Sequence, residues 1–313
     1  MRIFKFAESA NFNFVGQRYV AFLVTIVMII GSLALFAVKG LNYGIDFTGG
    51  VMMEVRVLET PDLAKMRGEL DNLDLGQISI QEFGQTTDLM IRIPEQKGGN
   101  IAQQAALTKV QDTINAEFPD QKVDYRRTEF VGPQVGDELK ARGAWAFGLT
   151  ILAILGYVWW RFEWQYGVSS IICLIHDTLA VVGLFSFLGL QFDLTALAAV
   201  LMVAGYSTND TVIVFDRIRE NRRKFKKMSM KDLINLSVNQ TLSRTLMTSL
   251  TTILALVALL FGGAVIRDFV IAMLFGVVVG TYSSIYVSGA ALLYMPFSDD
   301  KKRHDGDDEV VPA

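Results

Sequence analysis

Apolar residues gather in six long runs, approximately Tyr19–Val38, Gly143–Trp160, Val168–Leu190, Leu194–Val214, Ser243–Phe261 and Phe269–Tyr294. A helix that crosses about 30 Å of hydrocarbon needs roughly 20 mostly apolar residues, so each run predicts a membrane-spanning helix. Between the first two runs, over residues 39–142, the pattern shortens. Met53, Val55 and Val57 alternate there with Met52, Glu54 and Arg56, the period of a half-buried strand. The segment reads as a strand at Val51–Val57, a helix from Thr60-Pro61 to about Leu73, strands near Ile78–Phe83 and Leu89–Ile93, a helix near Ile101–Phe118 and a strand at Lys122–Val131. Thr60 is the expected N-cap and Pro61 the first helical residue. The order β-α-β-β-α-β predicts a ferredoxin-like α+β domain. The fold class expected is therefore an α-helical integral membrane protein with six transmembrane helices plus one ferredoxin-like domain outside the membrane.

The averages over 313 residues, 51% hydrophobic with a formal net charge of -3, change little in this picture. The distribution of charge changes more. Arg217, Arg219, Arg222, Arg223, Lys224, Lys226, Lys227 and Lys231 crowd the segment 215–242 between the fourth and fifth runs, and short loops rich in Lys and Arg stay cytoplasmic. Arg2, Lys5 and Arg18 in the N-terminal segment 1–18, and Lys301, Lys302 and Arg303 in the tail 295–313, carry the same sign. With six spans these three segments share the cytoplasmic side, and residues 39–142 lie outside. The basic segment reads as an orientation signal or as a docking surface for a cytoplasmic or membrane partner. The first run exceeds the roughly 7 to 15 apolar residues of a secretory signal and no A-x-A pattern follows it, so it is expected to remain as an anchor.

One cysteine, Cys173, excludes an intrachain disulfide. The two histidines, His176 and His304, and the absence of HExxH, Walker A, CxxC and nucleophile-elbow patterns give no expectation of an enzyme, a metal or a cofactor.

The candidate chemistry lies within the apolar runs. An Asp at the centre of a spanning helix costs about 2.5 to 3.5 kcal/mol and commonly marks an ion pathway, which singles out Asp210 in GYSTND. Arg244, Thr248, Thr251 and Thr252 share a helical face and are expected to supply a counter-charge and hydroxyls to Asp210; a static clamp between the two helices is the alternative. Asn209 is expected to support this site or to form an interhelical amide bond. His176 and Asp177 interrupt the third run, and a titrating role and a packing role both stand. Gly276, Gly280, Ser284 and Ser288 form a small-residue stripe suited to close helix packing. In GIDFTGG, the glycines allow positive φ and Asp46 is expected to cap a turn through its own backbone.

GYSTNDTVIVFDRIREN (Gly205–Asn221), SRTLMTSLTT (Ser243–Thr252), RDF (Arg267–Phe269) with GTYSSIYVSGA (Gly280–Ala290), and GIDFTGG together resemble the SecF members of the SecD/SecF family, within the resistance-nodulation-division superfamily. The resemblance implies half of a transporter, completed by SecD and accessory to the SecYEG channel, with YajC as a further partner. It implies use of an H+ or Na+ gradient across the bacterial inner membrane to move and release unfolded polypeptide on the periplasmic side. Nucleic acid is not an expected partner. Asp210 and Arg244 match the acid and arginine of the family's fourth and fifth spans, and Asp46, Thr48, Gly49 and Gly50 fall on the family motif at the entry to the outside domain. A passive scaffold of the translocase and a small-molecule exporter are the alternative functions.

Overall fold

The computed structural model describes residues 12–83, 85–119, 123–261 and 266–297. Arg2, Lys5, Lys301, Lys302, Arg303, His304 and the expected strand start at Lys122 lie outside the described residues. After a short turn at Val15–Gln17 come α1 (Arg18–Lys39), β1 (Asn42–Tyr43), the one-turn helix α2 (Ile45–Thr48), β2 (Gly50–Arg56), α3 (Leu63–Asp71), β3 (Ser79–Phe83), β4 (Gln85–Ile93), α4 (Gly99–Glu117) and β5 (Asp124–Val131). The second part holds α5 (Pro133–Arg161), α6 (Trp164–Leu188), β6 (Gln191–Phe192), α7 (Leu194–Lys224), α8 (Met230–Leu260), α9 (Arg267–Tyr282), a π-helical turn at Ser283–Val287 and α10 (Ser288–Leu292).

Strands β2 to β5 form one antiparallel sheet in the order β3-β4-β2-β5. Each crossover helix joins strands that are not neighbours: β2-α3-β3 straddles β4, and β4-α4-β5 straddles β2. Alternation decides which face is buried. Val51, Met53 and Val55 pack against Met66 and Leu70 of α3 and Ala106, Val110 and Ile114 of α4, while Met52 and Met90 turn to the other face and meet Ile45 of α2. The expected cap of α3 moves by two positions: Asp62, rather than Thr60, accepts the N–H groups of Ala64 (2.9 Å) and Lys65 (3.1 Å). A carboxylate at the N-cap serves two orphan donors at once.

Among the described residues six helical segments are long and apolar enough to cross a membrane: Val15–Lys39, Gln134–Arg161, Trp164–Leu188, Leu194–Lys224, Met230–Leu260 and Arg267–Leu292. The centre of the bundle is α6, α7 and α9, whose Val181, Phe185, Val200, Val203, Met273 and Val277 form one buried cluster. Helices α1 and α5 are peripheral, and Leu23, Val27, Ile30, Leu149 and Leu152 on them are exposed.

The segment 215–242, expected as a loop, is mostly a helical hairpin. Helix α7 runs on to Lys224, α8 begins at Met230, and only Phe225–Ser229 break the two. Phe215 and Ile218 continue the buried stripe of α7 and meet Leu233 and Ile234. Asn221 adds hydrogen bonds to Ser237 Oγ (2.9 Å) and Gln240 Oε1 (2.8 Å). Amphipathic packing thus outlasts the apolar run; Arg223, Lys224, Lys226, Lys227 and Lys231 are exposed, whereas Arg222 turns inward to Glu163 and the Phe297 ring. Helix α5 likewise begins at Pro133, well before the expected Gly143, because Pro is preorganised for the first helical position.

Candidate functional site

Two places concentrate polar groups: the rim where the sheet domain meets the bundle, and the interior of the bundle. At the rim, Gly49 (φ 70°) and Gly50 (φ 116°) turn the chain from α2 into β2. A Cβ on Gly50 would lie 2.3 Å from the Ile93 carbonyl oxygen, so both backbone angle and space require glycine there. Thr48 Oγ1 donates to the Gly44 carbonyl at 3.1 Å and closes the turn.

Asp46 does not cap that turn. Its Oδ2 accepts the N–H of Leu194 at 3.1 Å, at the start of α7. Asp193 accepts the N–H of Ala196, two residues further on, at 2.8 Å, so two carboxylates serve the positive end of one helix. Burial pushes the Asp46 carboxyl above its ordinary range, Leu194 N–H opposes this, and the Asp193 charge adds to it. The rim is tied further by the parallel pairing of β1 with β6 and by Asp268, which accepts Gln191 N–H at 3.0 Å. A cleft of about 570 Å³ between sheet and helix ends is lined by Asp46, Glu54, Arg127, Glu129, Asp193 and Arg267, among others.

Inside the bundle, Asp210 is 1% exposed, and neither carboxylate oxygen has a hydrogen-bond partner among the described residues. The hydroxyls of Thr211 and Thr245, also buried, are unpartnered too. Helices α7 and α8 run antiparallel, with Asn221 bonded to Ser237 and Tyr206 to Ser249 (3.4 Å); that register sets Asp210 and Thr211 level with Thr245.

The expected partners of Asp210 are not assembled around it. Arg244 is exposed and lines a groove with Tyr157, Val212, Ile213, Asp216 and Arg217, and among the described residues it makes no hydrogen bond to Asp210. Thr248 donates to the carbonyls of Arg244 (3.2 Å) and Thr245 (2.9 Å) in its own helix. Thr251 and Thr252 back-bond in the same way. Asn209 is exposed on the outer side of α7. The buried face of α8 is the neighbouring stripe Ser237, Thr241, Thr245 and Ser249, and its unbroken i+4 repeat of small hydroxyls was the signal that could have found it.

Asp177 is placed differently. It is fully buried, and its Oδ2 accepts the hydroxyls of Ser207 and, at 2.8 Å, Ser283. Its Oδ1 lies 2.8 Å from His176 Nδ1. Ser207 stands one turn before Asp210 on α7, and Ser283 opens the π-helical turn, so Asp177 joins α6, α7 and α9. The small-residue stripe serves close packing: a Cβ on Gly276 would lie 2.2 Å from Val203 Cγ2, and one on Gly280 2.9 Å from Ser207 Cβ.

Comparison with known proteins fits both places into one family. Residues 110–298 match the family model described as protein export membrane protein SecD/SecF, C-terminal, and residues 34–57 match the SecD/SecF GG motif. The chain belongs to the SecD/SecF family. It is 44% identical over 283 residues to the protein translocase subunit SecF of Rickettsia rickettsii, covering 90% of this chain and 91% of that one. It is 43% identical over 315 residues to the SecF of Rhodobacter capsulatus, covering 96% and 94%. The crystal structure of SecDF, a translocon-associated membrane protein from Thermus thermophilus, overlays with a TM-score of 0.82 at 36% identity, over 91% of this chain and 39% of that longer one. SecDF in its super-membrane-facing form gives 0.68, also at 36% identity, over 96% and 40%. With its six apolar helices, this SecD/SecF family member is a multi-pass membrane protein. The GG motif match includes Asp46, Thr48, Gly49 and Gly50, the turn that reaches Leu194.

Proposed function

We propose that the chain is the SecF-type half of an accessory complex of the Sec translocase. Paired with SecD, it acts beside the SecYEG channel and YajC in the bacterial inner membrane. It uses an H+ or Na+ gradient to promote movement and release of unfolded polypeptide. Both termini and the basic hairpin are cytoplasmic, and the split β-α-β sheet is a ferredoxin-like periplasmic domain. No catalytic chemistry or resident cofactor is assigned to it.

The observation that carries this reading is Asp210, a buried carboxylate whose two oxygens lack hydrogen-bond partners among the described residues. An ionised carboxylate without partners in an apolar interior is costly, so the site favours whatever neutralises it, a proton or a cation. In one state Asp210 takes that ion; in the other, Arg244 moves from its groove to supply the charge. Thr248 lies one turn beyond Arg244 on α8 and returns its hydroxyl to the carbonyls of that helix. Asn209 presents an amide to the SecD half, and Asp177 steadies the neighbouring turn through Ser207.

Helix α7 joins the site to the outside domain. From Leu194, held by Asp46, to Asp210 is 16 residues, about 24 Å of helix at 1.5 Å per residue. A shift of α7 on ion binding is therefore delivered to α2 and β2. The ion does this only if its affinity differs between the two states, and the membrane potential contributes about 2.3 kcal/mol per charge per 100 mV.

The test is export of a periplasmic reporter in cells depleted of the native protein and supplied with Asp210→Asn, at matched membrane abundance and SecD association. Failed export with intact assembly is the expected result. Normal export would leave a scaffold as the function.

A further inference from the structure

Three tryptophans stand at the end of the bundle away from the sheet: Trp159 and Trp160 in the last turn of α5 and Trp164 at the start of α6, exposed by 68, 83 and 49%. Tryptophans at helix ends sit at the level of lipid headgroups. Beside them the end of α7 carries Arg219, Arg223 and Lys224, which with Arg161, Asp216 and Glu220 line a cleft of about 560 Å³. Arg219 and Arg223 are four residues apart and share one helix face.

The two acids of this cleft are already engaged. Asp216 pairs with Arg161 at 3.0 Å and Glu220 with Arg217 at 2.5 Å. Arg219 is oriented by the Arg161 carbonyl (3.3 Å) and lies 6.0 Å from the Phe162 ring. Lys224 lies 5.3 Å from the Phe225 ring, and Arg223 has no carboxylate partner among the described residues. Setting orientation would need only positive charge somewhere in the segment. It would not need a concave cluster on one helix face, at the depth of three exposed tryptophans, with its two acids paired, one to the cleft's own Arg161 and one to Arg217.

We propose that this cleft binds the headgroup phosphate of an anionic phospholipid, of the phosphatidylglycerol or cardiolipin class. Arg223 and Lys224 are the phosphate ligands, Arg219 is the positioned guanidinium, and the acyl chains lie along the exposed Trp159 and Trp160 side of α5. Basic pockets between spanning helices select such headgroups, and guanidinium groups match the geometry of phosphate oxygens. The proposal is independent of ion coupling at Asp210.

The experiment uses the full chain in phosphatidylcholine bilayers containing either brominated phosphatidylglycerol or brominated phosphatidylcholine at equal mole fraction, read by tryptophan quenching. Of the 4 tryptophans, only Trp145 lies elsewhere. Brominated phosphatidylglycerol is expected to quench more, with the preference falling about fivefold for each charge removed in Arg223→Gln and Lys224→Gln. Both residues are exposed, so the fold tolerates these changes; Lys39→Gln at the opposite end is expected to keep the preference. Equal quenching by the two lipids in the unsubstituted protein would overturn the proposal. So would a preference that survives the double substitution, or one erased by millimolar inorganic phosphate at constant ionic strength, which would make the cleft a soluble-anion site.

Discussion

Asp46 accepts the backbone N–H of Leu194 across 148 residues of sequence, and this one bond joins the glycine motif below the sheet to the helix that carries Asp210. The motif is therefore a joint between two parts of the molecule. Removing the acceptor with Asp46→Ala is expected to cost about 0.5 to 2 kcal/mol, the usual loss for a helix cap. Asp46→Asn, which keeps an oxygen acceptor, costs less. Hydrogen exchange at the first turn of α7 checks this: faster exchange in the alanine variant than in the asparagine variant is the expected order.

Gly50→Ala is expected to disrupt the same joint from the other side. The residue sits at φ 116° with the Ile93 carbonyl 2.3 Å from the new Cβ, and backbone strain alone costs about 1 to 3 kcal/mol. Gly68→Ala, on a helix with open space around it, is expected to stabilise slightly. Thermal unfolding of the two variants side by side measures the difference.

The pH dependence of the sheet domain combines two acids shifted in opposite directions. The Arg56 guanidinium, hydrogen-bonded to Asp88 on the adjacent strand, holds that carboxyl below its ordinary range. Its contribution is present above the unfolded value of about 3.9 and is lost as pH falls through the lowered folded value. Asp46 is pushed up by burial, so its contribution is greatest below the unfolded value and declines as pH rises through the folded one. Asp88→Asn is expected to flatten the acid side of a stability profile, and Asp46→Asn to remove the decline on rising pH.

Gly276 of α9 packs directly against Val203 of α7, and Gly276→Ala is expected to cost about 1 to 3 kcal/mol through overpacking. Val203→Ala should restore part of it, since the new methyl group meets Val203 side-chain atoms and no others among its nearest neighbours. A double-mutant cycle read by thermal unfolding is expected to show coupling of about 0.5 to 3 kcal/mol. Strict additivity would mean that the two helices are less tightly engaged.

The six apolar helices were legible because a span demands a long run of one kind of residue. The strand and helix order of the sheet domain was legible from the switch between periods in Met52–Val57 and the segments after it. The partner of Asp46 was not, since no local pattern points across 148 residues to Leu194. The hairpin after Phe215 was hidden because Arg217, Arg219 and Arg222 resemble a loop by charge, while the residues that decide it, Ile218 and Asn221, are few. At the candidate site a rotation of one residue separated the two readings of α8. Arg244 and Thr248 have the same spacing as Thr241 and Thr245, and only packing against α7 selects the second pair for burial.

The central claim is that neutralisation of Asp210 by an ion drives the motion of α7. The measurement that tests it most directly is cargo release by the chain and SecD reconstituted with the translocase in sealed vesicles, with and without an imposed H+ or Na+ gradient, for the unsubstituted protein and for Asp210→Asn. The account predicts that one of the two gradients accelerates release in the unsubstituted protein and has no effect in the variant. Equal acceleration in both would contradict it.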